Sequence, residues 1–562
     1  MVTLFSSEPE KPTAITPAQI LVPTVVETKL QLSQIAQEFL DERQKSLELY
    51  NRGAEPAIRV SEVLGTIAHI YERIRNIVEY KGEHVLRRNA IERILRRLLW
   101  ERASHDTERL AQVLLRELIW ARYLPNDTVP KSKVKDVARI ISKYLVFLGK
   151  LTTMSTGVTS GKLRPWVWGI ASCEIEEAVD PSNREPYVIL MYTWFRQYFI
   201  WRDDVSEHEK EIQIYLAIHR ALAKSDEEIM RYHLLVKEFP DWLAGKTETL
   251  DALAGRFHSV YTEIEKHLSF PHKDKLFRII QKQVAAFEIF KQLVKEVGSK
   301  TQATLEDPNT FEGKVRAICQ TKYDQIQQKV NRGIVRSILY IFVTKVMLAL
   351  LIEIPYELYR FGGLNYLPLG INVIVPPGMM WLIGLTIRAP DAANTERIIA
   401  KLKTVVYQNQ VPKQLPFSIL TQHQESLLSQ IFAIIYLLLF LAVFGGITYL
   451  LLQLKFTVLG IVIFFAFLSL VLLFGFRVRF TASELKVTSD KENIVSYLLN
   501  ILTLPFLSTG VYLSKGLARI NFLTVILDFL IEAPLKTIIE VVEEWTSFIR
   551  EKREEVVEVP EQ

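Results

Sequence analysis

Cysteine is nearly absent from this chain. Cys173 and Cys319 cannot build a disulfide framework, and their separation fits no zinc site. So few thiols agree with a reducing compartment. A charge surplus is also missing: 68 Lys and Arg face 63 Asp and Glu, a net charge of +5 over 562 residues. Residues 1–333 carry 49 basic and 45 acidic side chains, and residues 334–562 carry 19 and 18. Neither half has the basic excess of a nucleic-acid binder, so no nucleic-acid partner is expected. The opening MVTLFSSEPEKPTAITP has no basic n-region and no apolar h-region. A secretory leader is therefore not expected, and membrane insertion has to rely on internal segments.

Catalytic signatures are missing too. The nearest approach to a phosphate loop, Gly157 to Leu163, is one residue short between its glycines and has Leu163 where magnesium needs a hydroxyl. None of the ten histidines follows a Glu at the Glu-x-x-His spacing, and HExxH does not occur. His258, His267 and His272 lie close together with Glu263 and Glu265 between them, a spacing that ordinary surface histidines also show. There is no G-x-S-x-G elbow, and neither cysteine sits in an activating motif. The expectation is no enzyme, no cofactor and no metal ligand set.

What the chain does have is apolar length near its C-terminal end. Ser426 to Leu454 is 29 residues without an ionisable side chain; after Lys455, Phe456 to Phe476 adds 21 more. About 20 apolar residues span a hydrocarbon core, so these runs predict a transmembrane helical hairpin, spans 427–453 and 456–476, with Lys455 at its tip. Gly445, Gly446 and Gly460 would let neighbouring backbones approach. Two less tidy segments precede the hairpin. Residues 334–352 are apolar apart from Arg336 and Lys345, and Arg336 can snorkel to the interface. A charge at the position of Lys345, mid-span, costs at least about 2.5–3.5 kcal/mol. Residues 364–387 lie in an uncharged run broken by Pro368 and the pair Pro376–Pro377. Each proline removes a helical hydrogen bond, so the spacing predicts two half-helices or a re-entrant segment more readily than one straight span.

A polar connector, 388–425, joins this region to the hairpin, and a helix from Glu396 to Tyr407 is expected within it. With the N-terminal bulk cytoplasmic, four spans put that connector and residues 477–492 inside, carrying nine Lys and Arg between them. Only Arg360 and Lys455 then lie outside, which satisfies the positive-inside rule. Residues 493–533 are either a fifth span or an interfacial segment; Lys515, Arg519 and Lys536 favour the interface. From Pro534 to 562 an amphipathic helix is expected, its acidic face (Glu540, Glu543, Glu544, Glu551) suited to protein rather than to anionic lipid.

The first 333 residues read as soluble and helical. A proline-bearing tail, 1–26, leads into a first helical subdomain, 27–155. Near 91–98, Ile91, Ile94, Leu95 and Leu98 form one stripe, opposite Arg87, Arg88, Arg93, Arg96 and Arg97. That arginine face could bind phosphate, although a solvated face is the plainer reading. Around 151–185 the composition turns to Gly, Ser, Thr and Pro, a candidate boundary to a second helical subdomain, 156–333. The fold class is thus all-α: a large soluble helical domain, a polytopic membrane domain over 334–492 and a C-terminal amphipathic helix.

Two functions compete. A membrane-anchored helical module would bind a protein partner through its N-terminal domain, with the lipid bilayer as its other partner. A channel or transporter would use Lys345, Glu353 and Glu357 beside the Pro376–Pro377 break, where charges next to interrupted helices form midplane sites.

Overall fold

The computed structural model describes residues 31–50, 56–60, 83–101, 106–154, 157–179, 184–407, 414–420, 427–487 and, apart from 502, 501–512. The expected tail at 1–26 and the amphipathic helix at 534–562 lie outside these residues. Within them the chain is predominantly helical. Helices α1 (Gln34–Tyr50), α2 (Glu83–Glu101), α3 (Thr107–Trp120) and α4 (Ser132–Thr153) are followed by α5 (Ser160–Val179) and α6 (Glu185–Tyr198). After strand β1 (Phe199–Trp201) come α7 (Glu207–Ile218) with a π turn at His219–Ala223, α8 (Glu227–Glu238), α9 (Thr247–Gly255), α10 (Phe257–Leu268), α11 (Lys273–Val297) and the short α12 (Thr301–Glu306). Sequence capping accounts for several starts: Asp106, Ser206 and Asp226 each accept backbone N–H groups in the first turns of α3, α7 and α8.

The Gly/Ser/Thr/Pro-rich stretch expected to separate a pair of subdomains instead yields α5 at the centre of one core. Leu163, Trp166, Val167, Ile170, Ala171 and Ile175 are all buried, and a single apolar cluster runs from Leu32 to Leu485. Most of its faces are buried, by apolar residues and paired carboxylates alike, so it has no single periodic stripe to announce it in sequence. Its buried carboxylates clamp its neighbours. Glu174 pairs with Lys143 and accepts the Tyr144 hydroxyl at 2.8 Å, and Glu176 binds Arg87 at 2.8 Å and Arg184 at 2.9 Å. Most of the arginine face of α2 is accordingly turned to protein: Arg87 and Arg88 are buried, Arg88 reaches Asp226 at 2.8 Å and Arg97 pairs with Glu117, while Arg96 stays exposed.

The boundary expected at residue 333 is not a break either. Helix α13 (Pro308–Phe361) runs for 54 residues, about 80 Å at 1.5 Å per residue, interrupted only by a π turn at Ala349–Glu353. Its first half is anchored in the domain core by Phe311, Val315, Ile318, Cys319 and Val330, and its second half exposes Val335, Leu339, Leu350 and Leu351. Three further helices are long and apolar enough to cross a membrane: α14 (Tyr366–Leu385), α16 (Leu427–Gln453, with Ile434–Gln453 its apolar window) and α17 (Val458–Ala482). Helix α14 continues unbroken through Pro376 and Pro377, so the expected half-helices do not form. Both prolines are buried in the bundle, and packing against α13 and α17 holds the two halves of α14 in line across the missing bonds.

Helices α13, α14 and α17 pack into one bundle. The closest approaches come at glycines not anticipated, where a Cβ on Gly384 would lie 2.8 Å from Ile334 and one on Gly475 would lie 2.8 Å from Ile383, while the anticipated Gly460 also faces a neighbour, its Cβ position 3.9 Å from the Asn372 amide. Gly445 and Gly446 face nothing within 4 Å. In α17 half of the apolar window is buried, against 6 % in α16, which lies outermost. Residues 503–512 are helical and run along α17, with Phe506 against Phe444 and Phe465 and Gly510 against Ser469. This portion of the segment expected at the interface packs on the middle of the hairpin.

The polar connector belongs to the helical domain. Between α14 and α16 the chain forms α15 (Ala392–Val406), whose Ile398, Ile399, Leu402 and Val405 are buried in the domain core. Strand β2 (Leu415–Phe417) then pairs in parallel with β1. Ser33 donates both its N–H and its hydroxyl, at 2.8 and 2.5 Å, to carbonyls at the end of α15. Asp203 receives the N–H groups of Ile419 at 2.6 Å and Leu420 at 3.0 Å.

Candidate functional site

Of the three charged residues singled out in the spans, two meet. Lys345 donates to Glu353 at 2.6 Å, and Asn372 of α14 donates to both oxygens of the same carboxylate at 3.0 Å. On a regular α-helix residues eight apart are offset by roughly 80°. The π turn at Ala349–Glu353 inserts the extra residue that returns Glu353 to the face of Lys345. Lys345 is fully buried, its ammonium 5.0 Å from the Phe467 ring of α17. Glu357 lies one turn further on, where it accepts the Asn365 N–H at 3.2 Å ahead of α14. It is also buried, but it closes a helix start rather than joining the pair. The cluster ties α13, α14 and α17 together: Asn372 also lies 3.4 Å from the Gly460 carbonyl. Two buried polar atoms within the spans, Asn372 Oδ1 in this cluster and Ser469 Oγ further along α17, have no hydrogen-bond partner. Pro376 and Pro377 sit one turn beyond Asn372, within the continuous helix.

At the end of the spans nearest the domain, Lys329, Arg332 and Arg336 of α13 and Arg477 of α17 line a recess of about 390 Å³ with Val330, Gly333, Val478 and Thr481. Among the described residues no carboxylate pairs with Lys329, Arg332 or Arg336.

The histidines grouped by sequence are not brought together. His258 is exposed beside Gly157, and His267 is buried with its Nδ1 2.9 Å from Glu209. His272 precedes α11, and Glu265 is taken by Arg231 at 2.6 Å. A different set converges. Glu185 opens α6, His219 opens the π turn after α7, and His233 lies within α8; one ligand atom from each falls within 4.8 Å of the others. Glu185 Oε2 stands 3.1 Å from His219 Nε2 and 3.6 Å from His233 Nδ1. Tyr215 donates to the other Glu185 oxygen at 2.7 Å, Ser225 Oγ meets His219 Nδ1 at 3.2 Å, and Glu177 Oε1 faces His233 Nε2 at 3.6 Å. Burial raises the Glu185 carboxyl, but the two imidazoles and the Tyr215 hydroxyl outweigh it and hold the group down at about 2. Burial, with His219 alongside, lowers His233 and favours its neutral form. Sequence reasoning missed this set because its members stand 34 and 14 residues apart on three elements.

Comparison with known protein families, with curated proteins and with solved structures returned no match. Function therefore has to be argued from the geometry.

Proposed function

We propose that the chain is a non-enzymatic, membrane-anchored helical module that holds its N-terminal domain in a fixed pose on the cytoplasmic face, for a protein partner. The observation that carries this reading is the repeated attachment of the domain. Helix α13 passes from the domain core into the apolar helices without a break, and between the second and third of those helices the chain returns to the core as α15 and β2. The end of α17 adds a third connection, with Leu485 in the domain core and Glu484 2.9 Å from Lys224, and together these resist tilting about any one. The basic recess supports the orientation, because cations between helices at the cytoplasmic boundary suit the phosphate headgroups of an anionic leaflet.

The transport reading draws on one observation, the unpartnered Asn372 Oδ1 beside a charged pair in the apolar layer, with Ser469 Oγ further along α17. Reconstitution separates the two. Proteoliposomes holding the full chain should show ion flux no greater than empty vesicles. A photo-crosslinker placed in cells at the exposed Leu243 should yield the same discrete partner adduct with and without Lys345→Met. A flux that Lys345→Met abolishes would overturn the anchor reading.

A further inference from the structure

We propose that Glu185, His219 and His233 bind one divalent first-row transition-metal ion, with Zn²⁺ as its representative. Two imidazole nitrogens and one carboxylate oxygen make a borderline donor set suited to such ions and poor for calcium or magnesium. Ligands at about 2.0–2.2 Å around a tetrahedral ion lie roughly 3.4 Å apart. The Glu185–His219 and Glu185–His233 separations, 3.1 and 3.6 Å, bracket that value.

Two of the converging atoms lack a good hydrogen-bond partner. His219 is 1 % exposed, and its Nε2 and Glu185 Oε2 have only each other, at 3.1 Å and too poorly aligned for a good hydrogen bond. A buried polar atom left without a good partner is costly, and a shared cation would satisfy both. The polar atoms pointing away from the centre are supported from outside: Glu185 Oε1 by Tyr215, His219 Nδ1 by Ser225 and His233 Nε2 by Glu177. Glu177 is in turn bound by the Tyr232 hydroxyl at 2.9 Å. This outer shell fixes which nitrogen of each ring faces inward, as it does around metal-bound histidines. The Glu185 side chain is 35 % exposed although its Oε2 is buried, so an ion would enter along the Glu185 side of the cluster.

The alternative occupant is a proton, with the three side chains forming a plain hydrogen-bonded cluster. The purified full chain, stripped with EDTA and desalted, is titrated with Co²⁺ and, separately, with Zn²⁺. The expected result is one equivalent of Zn²⁺ per chain retained through a second desalting. Co²⁺ should give the visible d–d bands of a four- or five-coordinate site. His219→Ala and Glu185→Gln should lose that equivalent, Tyr215→Phe should weaken binding by roughly 10–100-fold, and His258→Ala should leave it unchanged. Zinc retention below stoichiometry, or equal retention by wild type and the two ligand variants, overturns the proposal. If those variants fail to fold, the wild-type Co²⁺ spectrum decides: only the weak bands of hydrated Co²⁺ would contradict a site.

Discussion

Lys345 shows how a residue can look functional while serving to hold helices together. Its ammonium is neutralised by Glu353, and the same carboxylate takes both contacts from Asn372. Removing one partner of a buried pair leaves an uncompensated charge and typically costs about 3–5 kcal/mol, whereas replacing both with apolar groups is often neutral. Lys345→Met should therefore lower the unfolding free energy in detergent by about that amount, and Lys345→Met with Glu353→Leu should recover most of it. Denaturant titration of the four proteins in micelles checks this; equal losses in the single and double variants would mean that the pair does not act as a unit. His84 carries a separate prediction. Burial, helped by Arg184, Lys291 and Arg87, lowers it from 6.5 to about 3. The unfolded chain then binds a proton that the folded chain does not. Its contribution to stability is complete above pH 6.5 and is lost as pH falls from there towards 3. His84→Gln should reduce the slope of the stability profile between pH 6.5 and about 5.5, above the range in which the depressed carboxylates Asp203 and Glu185 contribute, with His233, also lowered by burial, supplying the slope that remains. At this scale the pairing of Lys345 with a neighbour was open to anticipation from sequence. Its partner was not, because the π turn that aligns Glu353 leaves no mark in residue order.

Among the elements, α15 departs furthest from what its sequence neighbourhood implies. It lies between two apolar helices and reads as a connector, yet Ile398, Leu402 and Val405 are fully buried against the domain. Large-to-small changes in such cores cost about 2–5 kcal/mol. Leu402→Ala should accordingly destabilise the helical domain by that much and raise amide exchange in α11, which packs on α15, while exchange in α17 stays as it was. Exchange that rises only within α15 would show a tethered connector instead. The helices themselves were legible from stripes, caps and apolar runs. Two misreadings share a cause. Helix α5, buried on most sides and opening on Gly, Ser and Pro, resembles a loop-rich boundary, and α14 resembles a broken helix because of its prolines. In both, packing by neighbours overrides the local signal.

For the whole molecule, the placement of apolar exposure divides the chain more clearly than any boundary in sequence. Large exposed apolar side chains are scattered over the helical domain (Val146, Met154, Ile189, Leu243) but continuous along the outer faces of α13, α14 and α16. That band marks a surface made for lipid, in keeping with the four long apolar helices. The hairpin that dominates the hydropathy pattern contributes unequally: α17 is built into the bundle, whereas α16 lies on its flank. What joins the helical domain to the apolar bundle is the set of connections through α13, through α15 and through the end of α17, where Leu485 enters the core and Glu484 pairs with Lys224 at 2.9 Å, and it is this rigid mounting that the anchor reading depends on. The native cysteines are both buried, so labels on introduced cysteines can be placed selectively. Spin labels at Lys282→Cys, on an exposed position of α11, and Gln453→Cys, near the hairpin tip, measure the mounting directly in reconstituted full-length protein. The account predicts a single narrow distance distribution that stays the same between lipid compositions; a broad or multimodal distribution would contradict it.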